Sequence, residues 1–179
     1  GYAVDADSRN GGVIGACGAS ASTHSDPTVA VNIGASTRID ATGSIDISSA
    51  NGFAQTADGA SAQAAAGGVY SGSAAVSEAE LSGTSRVTFG NSVELEAGTS
   101  PVTNPGGIRI VAASILHADD RVDLQTGGSI AVAAVKSLLT ATLDNTVNLG
   151  AGGSFTSAGN VGAGTYTIAA ADTGAEVST

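Results

Sequence analysis

The sequence predicts an all-β fold, a parallel β-solenoid that forms a single domain over residues 1–179. Only 3% of the residues are aromatic and Gly occupies 26 positions, which favours a thin core of small and β-branched side chains. Segments such as Val87-Thr-Phe89 and Val93-Glu-Leu-Glu96 alternate with the period of two that is typical of strands. A short turn phrase also recurs along the chain, as expected for stacked strands joined by corners.

The turn phrase places Gly or Asn, followed by Ser, between two apolar residues that are six positions apart. A strand can enter such a turn, change direction and leave as a second strand. The four copies run from Ile39 to Ile45, from Val87 to Val93, from Leu124 to Ile130 and from Leu149 to Phe155. Because these apolar residues flank a corner, all are predicted to face the interior: Ile39, Ile45, Val87, Val93, Leu124, Ile130, Leu149 and Phe155.

The spacing of the turn phrase predicts a coil of about 24 residues. The serines lie at positions 44, 92, 129 and 154, which correspond to two coils, an irregular one and a half, and one. The irregular step contains residues 98–107, where Pro101 and Pro105 indicate a loop. About seven coils at ~4.8 Å each would form a rod roughly 35 Å long, with the corners aligned on one edge.

The remaining elements are predicted from local signals. A second marker, a Gly-Gly pair followed by Val or Ile, begins at Gly11, Gly67 and Gly106 and precedes copies of the turn phrase. The segment from Thr23 to Pro27 contains turn-forming residues. Residues 49–68 are rich in Ala, Gly and Ser and are read as a small-residue strand or corner. Residues 130–143 are the most apolar run, but this run is too short and too polar to span a bilayer and is read as two buried strands.

Charge and cysteine content exclude several classes of function. The formal net charge is −10 and Lys136 is the single lysine, so a nucleic-acid partner is not expected. The acidic surface is instead suited to keeping an elongated molecule soluble. Cys17, the one cysteine, lies among Gly and Ala and is read as a small buried side chain.

One polar cluster suggests chemistry, the run from His117 to Arg121 with Asp119 and Asp120 between them. Acids on the outer face of stacked strands could act on a polysaccharide, but a polar corner between two strands explains the run equally well. His24 beside Asp26 is a weaker signal. Asp5 and Asp7 lack the further oxygen ligands of a calcium loop and are read as solvated. No enzyme activity, catalytic residue, metal site or cofactor is predicted.

The sequence resembles the repeats of large bacterial filamentous adhesins, the filamentous haemagglutinin-like and leukotoxin-like exoproteins. The resemblance lies in the Gly-Gly-Val marker, in Thr28-Val-Ala-Val-Asn-Ile-Gly34 and in Arg38-Ile-Asp-Ala-Thr-Gly-Ser-Ile-Asp-Ile47, and it covers roughly residues 11–170. It implies a right-handed parallel β-helix, secreted or at the cell surface, with no catalytic residues. The Asn-Pro-Asn motifs of the secretion domain do not occur, which fits an interior segment.

The resemblance implies a structural or adhesive filament segment that mediates attachment between cells or to surfaces. A polysaccharide-acting β-helix enzyme and a passive spacer stalk are the alternatives. The expected partners are a continuation of the same chain or identical subunits, and cell-surface glycans or other cells. Neither residues 1–10 nor residues 172–179 resemble a cap, so both ends of the stack are expected to be open.

Overall fold

A computed structural model describes residues 4–54, 60–98, 103 and 105–178 of the chain. The described residues form parallel β-strands and no helix, which confirms the predicted all-β class. The polar and apolar alternation of the sequence produces strands because it places one set of side chains on each face of a sheet. The strands are β1 (Val4–Gly11), β2 (Ile14–Ser25), β3 (Thr28–Ile33), β4 (Arg38–Ala41), β5 (Ile45–Ala54), β6 (Ala60–Gly67), β7 (Tyr70–Phe89), β8 (Glu94–Ala97), β9 (Ile108–Gly127), β10 (Ile130–Asn148), β11 (Ser154–Ser157) and β12 (Val161–Ser178).

These strands form three sheets in which every described pair is parallel. Sheet I contains β1, β5, β6, β9 and β12, sheet II contains β2, β3, β7 and β10, and sheet III contains β4, β8 and β11. The chain visits sheets I, II and III in that order and then returns to sheet I. The pairing defines a lower layer (β2–β6), a middle layer (β7–β9) and an upper layer (β10–β12), with β1 below β6.

The predicted period of about 24 residues is wrong. Arg38 pairs with Glu94, which is 56 residues further along the chain, and Asn91 contacts Ala151, which is 60 residues further. The strands of sheets I and II reach 20 residues in length, so one passage through all three sheets requires far more than 24 residues. With four strand levels in sheet I at about 4.8 Å, the stack is about 15 Å high rather than 35 Å.

The turn phrases do not lie on one edge, which corrects the second part of that prediction. Ser44 lies between sheets III and I, Ser129 between sheets I and II, and Ser92 and Ser154 at or next to the connection from sheet II to sheet III. All three connections require a sharp change of direction, and Gly and Ser suit each of them. The sequence spacing therefore measured distances between different corners instead of the distance between layers.

A column of three stacked glycines is present at each of the three corners. The columns consist of Gly12, Gly68 and Gly128, of Gly34, Gly90 and Gly150, and of Gly43, Gly106 and Gly159. A Cβ atom on Gly128 would lie 2.1 Å from the carbonyl oxygen of Gly68, and one on Gly106 would lie 2.1 Å from that of Gly43. The corners therefore stack at a distance that leaves no room for a side chain.

One connection between sheets III and I is longer than its equivalents. β8 and β9 are joined by residues 98–107, whereas residues 42–44 and 158–160 make the corresponding connections in the layers below and above. The extra seven residues account for the spacing of 63 residues between Asp46 and Arg109. The insertion coincides with the predicted proline loop, half of which lies outside the described residues.

The interior lies between the inward faces of the three sheets and contains three apolar clusters. The largest lies near sheet III and includes Val87, Val93 and Leu95. A second surrounds Leu124 near the corner between sheets I and II, and a third surrounds Leu81 and Leu116 between them along the strands. Of the residues predicted to face inwards, four are buried and two are partly buried against the largest cluster: Ile45, Val87, Val93 and Leu124, and Ile39 and Phe155, respectively.

Ile130 and Leu149 differ from the prediction for separate reasons. Ile130 pairs with the outward-facing Tyr70 and is 56% exposed, so the predicted inward orientation is wrong. Leu149 follows the inward column of Phe89 but is 51% exposed, because the described structure has no layer above it. Residues 130–143 belong to the single strand β10, and several of its outward apolar side chains are exposed, so the reading as two buried strands is also wrong.

Candidate interaction surfaces

The polar cluster from His117 to Arg121 is divided between the two faces of β9. The predicted corner is wrong, because these residues continue a strand that runs from Ile108 to Gly127. With a period of two, His117, Asp119 and Arg121 point outwards, whereas Asp120 points inwards. The two carboxylates therefore lie on opposite sides of a sheet and cannot act together on one substrate.

Asp120 is fully buried and links sheets I and II. The hydroxyl of Ser77 donates to its Oδ1 atom, and the hydroxyl of Ser137 donates to its Oδ2 atom at 2.5 Å. Ser77 and Ser137 are direct partners in β7 and β10, so two adjacent layers supply the donors. The two hydroxyl groups satisfy a carboxylate that would otherwise be costly to bury, which makes a structural role the simplest account.

Buried polar side chains form two bands between the three apolar clusters. Asp120 belongs to the band between the cluster around Leu124 and the cluster around Leu81, and a second band lies between the latter and the largest cluster. In the second band the hydroxyls of Ser49 and Ser85 are 2.8 Å apart, and Asn51 donates to the carbonyl of Pro27 at 3.0 Å. The hydroxyl of Ser114 donates to Asn145 at 2.6 Å. These bonds join the inward faces of sheets I and II, and each requires a specific pairing register.

His24 and Asp26 contact residues of the neighbouring strand. The Nδ1 atom of His24 lies 3.4 Å from a carboxylate oxygen of Glu80. Asp26 accepts a hydrogen bond from the hydroxyl of Ser82 at 2.6 Å. Since Glu80 and Ser82 are both in β7, His24 and Asp26 form links between layers and have no arrangement suited to nucleophilic catalysis.

Four of the basic side chains on the outer surface also join neighbouring strands. Arg38 lies 2.9 Å from Asp40 on its own strand and 3.1 Å from both Glu94 and Glu96 on β8. The pKa of Arg38 is raised above its ordinary value by its hydrogen bond to Asp40 and by the negative charges of Asp40, Glu94 and Glu96. Similar links between strands join Arg109 to Asp46, Lys136 to Glu78, and Arg86 to Asp144.

A shallow polar groove crosses the outer face of sheet I near the corner with sheet II. Arg9, Gln125 and Gly127 border one part with a volume of about 550 Å³, and Asp7, Gln63 and Asp123 border an adjoining part of about 350 Å³. Asp7 is paired with Arg9 at 3.1 Å.

Within the part of the chain that the structure describes, no group of three or more His, Cys, Asp or Glu side chains could hold a metal ion. Cys17 is half-buried and packs against the cluster around Leu124.

The first and last strands of the stack have open edges within the described residues. In sheets II and III, β10 and β11 pair only with the middle layer, which lies below them. The strands β2, β3 and β4 also pair only with the middle layer, which lies above them. In sheet I, β12 pairs only with β9. The exposed edge therefore presents backbone N–H and C=O groups, together with inward-column residues such as Leu149 and Val161.

An apolar area lies on the outer face of sheet II, beside the corner with sheet I. We call it the corner face. It consists of three columns of outward-facing residues, each with one residue per layer, and none of its side chains carries a charge or a polar group other than the Tyr hydroxyl. The columns are Ile14, Tyr70 and Ile130; Ala16, Gly72 and Val132; and Gly18, Ala74 and Ala134.

Three comparisons with known proteins found no match for this chain, so its own geometry is the evidence for its function. No protein-family model matches the chain. No curated protein and no solved structure matches it either. The described residues also contain no helix that is long and apolar enough to cross a membrane.

Proposed function

We propose that the chain is a segment of a right-handed parallel β-helix that serves as a structural and adhesive filament, secreted or at the cell surface. The observation that carries this proposal is the pair of open ends. Within the described residues, each end presents parallel strand edges from all three sheets, and the upper end also exposes apolar residues of the interior. Open edges of this kind pair readily with further strands.

The β-helix is supported by the cyclic order of the three parallel sheets and by the glycine columns at their corners. A parallel connection within one sheet needs a crossover, and here each crossover passes through the other two sheets. Crossovers between parallel strands are right-handed in about 98% of cases, which favours the handedness that the adhesin resemblance implies.

The geometry of sheet I favours continuation of one longer chain over stacking of identical subunits. In a stack of identical copies, β6 of an added copy would lie on the second half of β12. The β1 strand of that copy would have to occupy the position of the second half of β12, because β1 pairs with the lower edge of β6. Direct stacking therefore requires one of these strands to move, whereas a continuing chain does not.

The surface of the stack suits broad adhesive contacts better than catalysis. Its grooves are shallow and are lined by side chains such as Arg9, Gln63 and Gln125, which can bind the hydroxyl groups of glycans. The polysaccharide-acting alternative has less support, because Asp119 and Asp120 lie on opposite faces of β9. A passive spacer would share the fold but would not bind glycans or cells.

The first experiment measures association of the chain through its open ends. Once β1 of one copy or the second half of β12 of the next is displaced, the open edges can pair, so we expect the purified chain to form assemblies that grow with concentration in sedimentation velocity and electron microscopy. A Leu149→Lys, Val161→Lys variant should reduce this growth, because it places two charges on the upper open end. Leu138→Lys, an exposed outward position on β10, provides the matched control and should leave growth unchanged.

A chain that shows no association beyond a dimer at millimolar concentration would contradict the filament proposal. Adhesion is then tested separately by binding of fluorescent protein to glycan arrays and to cells. Growing assemblies without any binding would favour the passive spacer. Cleavage of a polysaccharide that is lost in an Asp119→Ala, Asp120→Ala variant would instead favour an enzyme.

A further inference from the structure

The corner face is unusual because its large side chains are exposed in every layer. In the first column Ile14 is 75% exposed, Tyr70 is 51% exposed and Ile130 is 56% exposed. Since β7 lies between β2 and β10, the exposure of Tyr70 is not a consequence of an open sheet edge. Repetition of apolar residues at one outward position in all three layers indicates a surface that is covered by a partner.

The shape of the corner face is complementary to itself. Ile14, Tyr70 and Ile130 form a ridge along the stacking direction, and Gly18, Ala74 and Ala134 form a low strip parallel to that ridge. The two columns are four residues apart along the strands, which is about 13 Å. A two-fold axis along the middle column would place the ridge of one copy on the strip of another, with equal layers facing each other.

We propose that two copies of this chain pair side by side through their corner faces. Ile14, Tyr70, Ile130 and Val132 are 75%, 51%, 56% and 66% exposed. At roughly 200 Å² per large side chain they expose on the order of 500 Å² per copy, against the roughly 800 Å² per partner of a standard interface. The chain has a net charge of −10, but no charged side chain belongs to the corner face, so the contact itself brings no like charges together. Both copies also have the same layer spacing, which keeps the contacts in step along the stack.

This pairing goes beyond the proposed filament and does not depend on the open ends. It is closed by the two-fold axis and therefore stops at two copies, whereas association through the ends continues without a limit. The Leu149→Lys, Val161→Lys variant blocks the upper end and isolates the lateral contact. Sedimentation velocity on that variant therefore distinguishes failure of the lateral pair from failure of the filament.

We expect the end-blocked variant to be a dimer, and an added Tyr70→Glu or Val132→Glu substitution to make it monomeric. Both positions face outwards, so folding should be retained, which circular dichroism and thermal unfolding will check. Ile168→Glu is the matched control, because Ile168 is a similarly exposed apolar residue of β12 on sheet I and should leave the dimer intact. A monomeric end-blocked chain, or a dimer that survives both corner-face substitutions, would overturn the proposal.

A cross-link provides the second readout. Val132 lies on the proposed axis and packed sheets lie about 10 Å apart, so Val132→Cys in a Cys17→Ala background should be cross-linked to its counterpart by a bis-maleimide reagent of about that length, whereas Leu138→Cys should not. Equal cross-linking at both positions would argue against this interface. Binding of the chain to neutral phospholipid vesicles that is lost in Tyr70→Glu would assign the corner face to a membrane surface and would likewise overturn the pairing.

Discussion

The middle layer and the two outer layers contain equivalent side chains that differ in burial. Val31, Val87 and Val147 occupy one inward column, one in each layer. Val87 is fully buried, whereas Val31 and Val147 are partly buried against the same cluster. The comparison shows that the register of a strand determines which way a side chain points, while the layers above and below determine how well it is buried.

The same difference is present at the corners. Gly106 in the middle layer rests against the backbone of Gly43 below it, whereas a Cβ atom on Gly43 would have no described atom within 4 Å. An interior layer therefore requires Gly for a reason that does not apply to the lowest layer. This distinction can be tested because both glycines belong to one column.

The largest effect is expected for Gly106→Ala. The added Cβ would lie 2.1 Å from the carbonyl oxygen of Gly43, so one of the two corners must move, at a cost of about 3 kcal/mol or more. Gly43→Ala is the matched control and should change the free energy of unfolding by no more than about 1 kcal/mol. Denaturant unfolding followed by circular dichroism measures both values. Equal losses in the two variants would show that contact between layers is not the reason for the glycine.

A smaller effect is expected for Val87→Ala. Removing two buried methyl groups and leaving a cavity should cost about 2–3 kcal/mol of unfolding free energy. Val31→Ala and Val147→Ala remove the same atoms from partly buried positions and should cost roughly half as much.

If assembly through the open ends adds a further layer, the cost at Val147 should rise towards that at Val87 with increasing protein concentration. A concentration-independent difference in a chain that assembles would contradict the role assigned to the open ends.

The sequence predicted the strand class and most of the inward residues because both follow from local alternation. Ile45, Val87, Val93 and Leu124 are buried, as the turn phrase predicted. The inward orientation predicted for Ile130 was wrong because apolar residues lie on both sides of its corner. The sequence does not distinguish an inward residue from a member of an exposed ridge. Such a distinction depends on which surfaces meet in three dimensions.

The layer spacing could have been found from a signal that the turn phrase obscured. Ser36, Ser92 and Gly152 share a positive φ of 56°, 57° and 70° and lie at equivalent points of the connection from sheet II to sheet III. Each follows a Gly by two residues, at Gly34, Gly90 and Gly150, so the true period is visible in this motif. The insertion at residues 98–107 shifts the phase of the following strands and hides the repeat from a count over the whole chain.

The smallest effect is expected for Arg38→Met, which tests whether surface charges help to hold the outer layer to the middle layer. Arg38 contacts Glu94 and Glu96 on β8, but its side chain and those of both partners are more than half exposed. Exposed ion pairs contribute at most about 1 kcal/mol and weaken as salt is added. The loss of unfolding free energy should therefore be a few tenths of a kcal/mol in dilute buffer and should disappear at about 1 M NaCl. Arg9→Met is the matched control, because the described ion pair of Arg9 is with Asp7 on its own strand. A salt-independent loss confined to Arg38→Met would assign its role to packing of the aliphatic stem against sheet III instead of to charge.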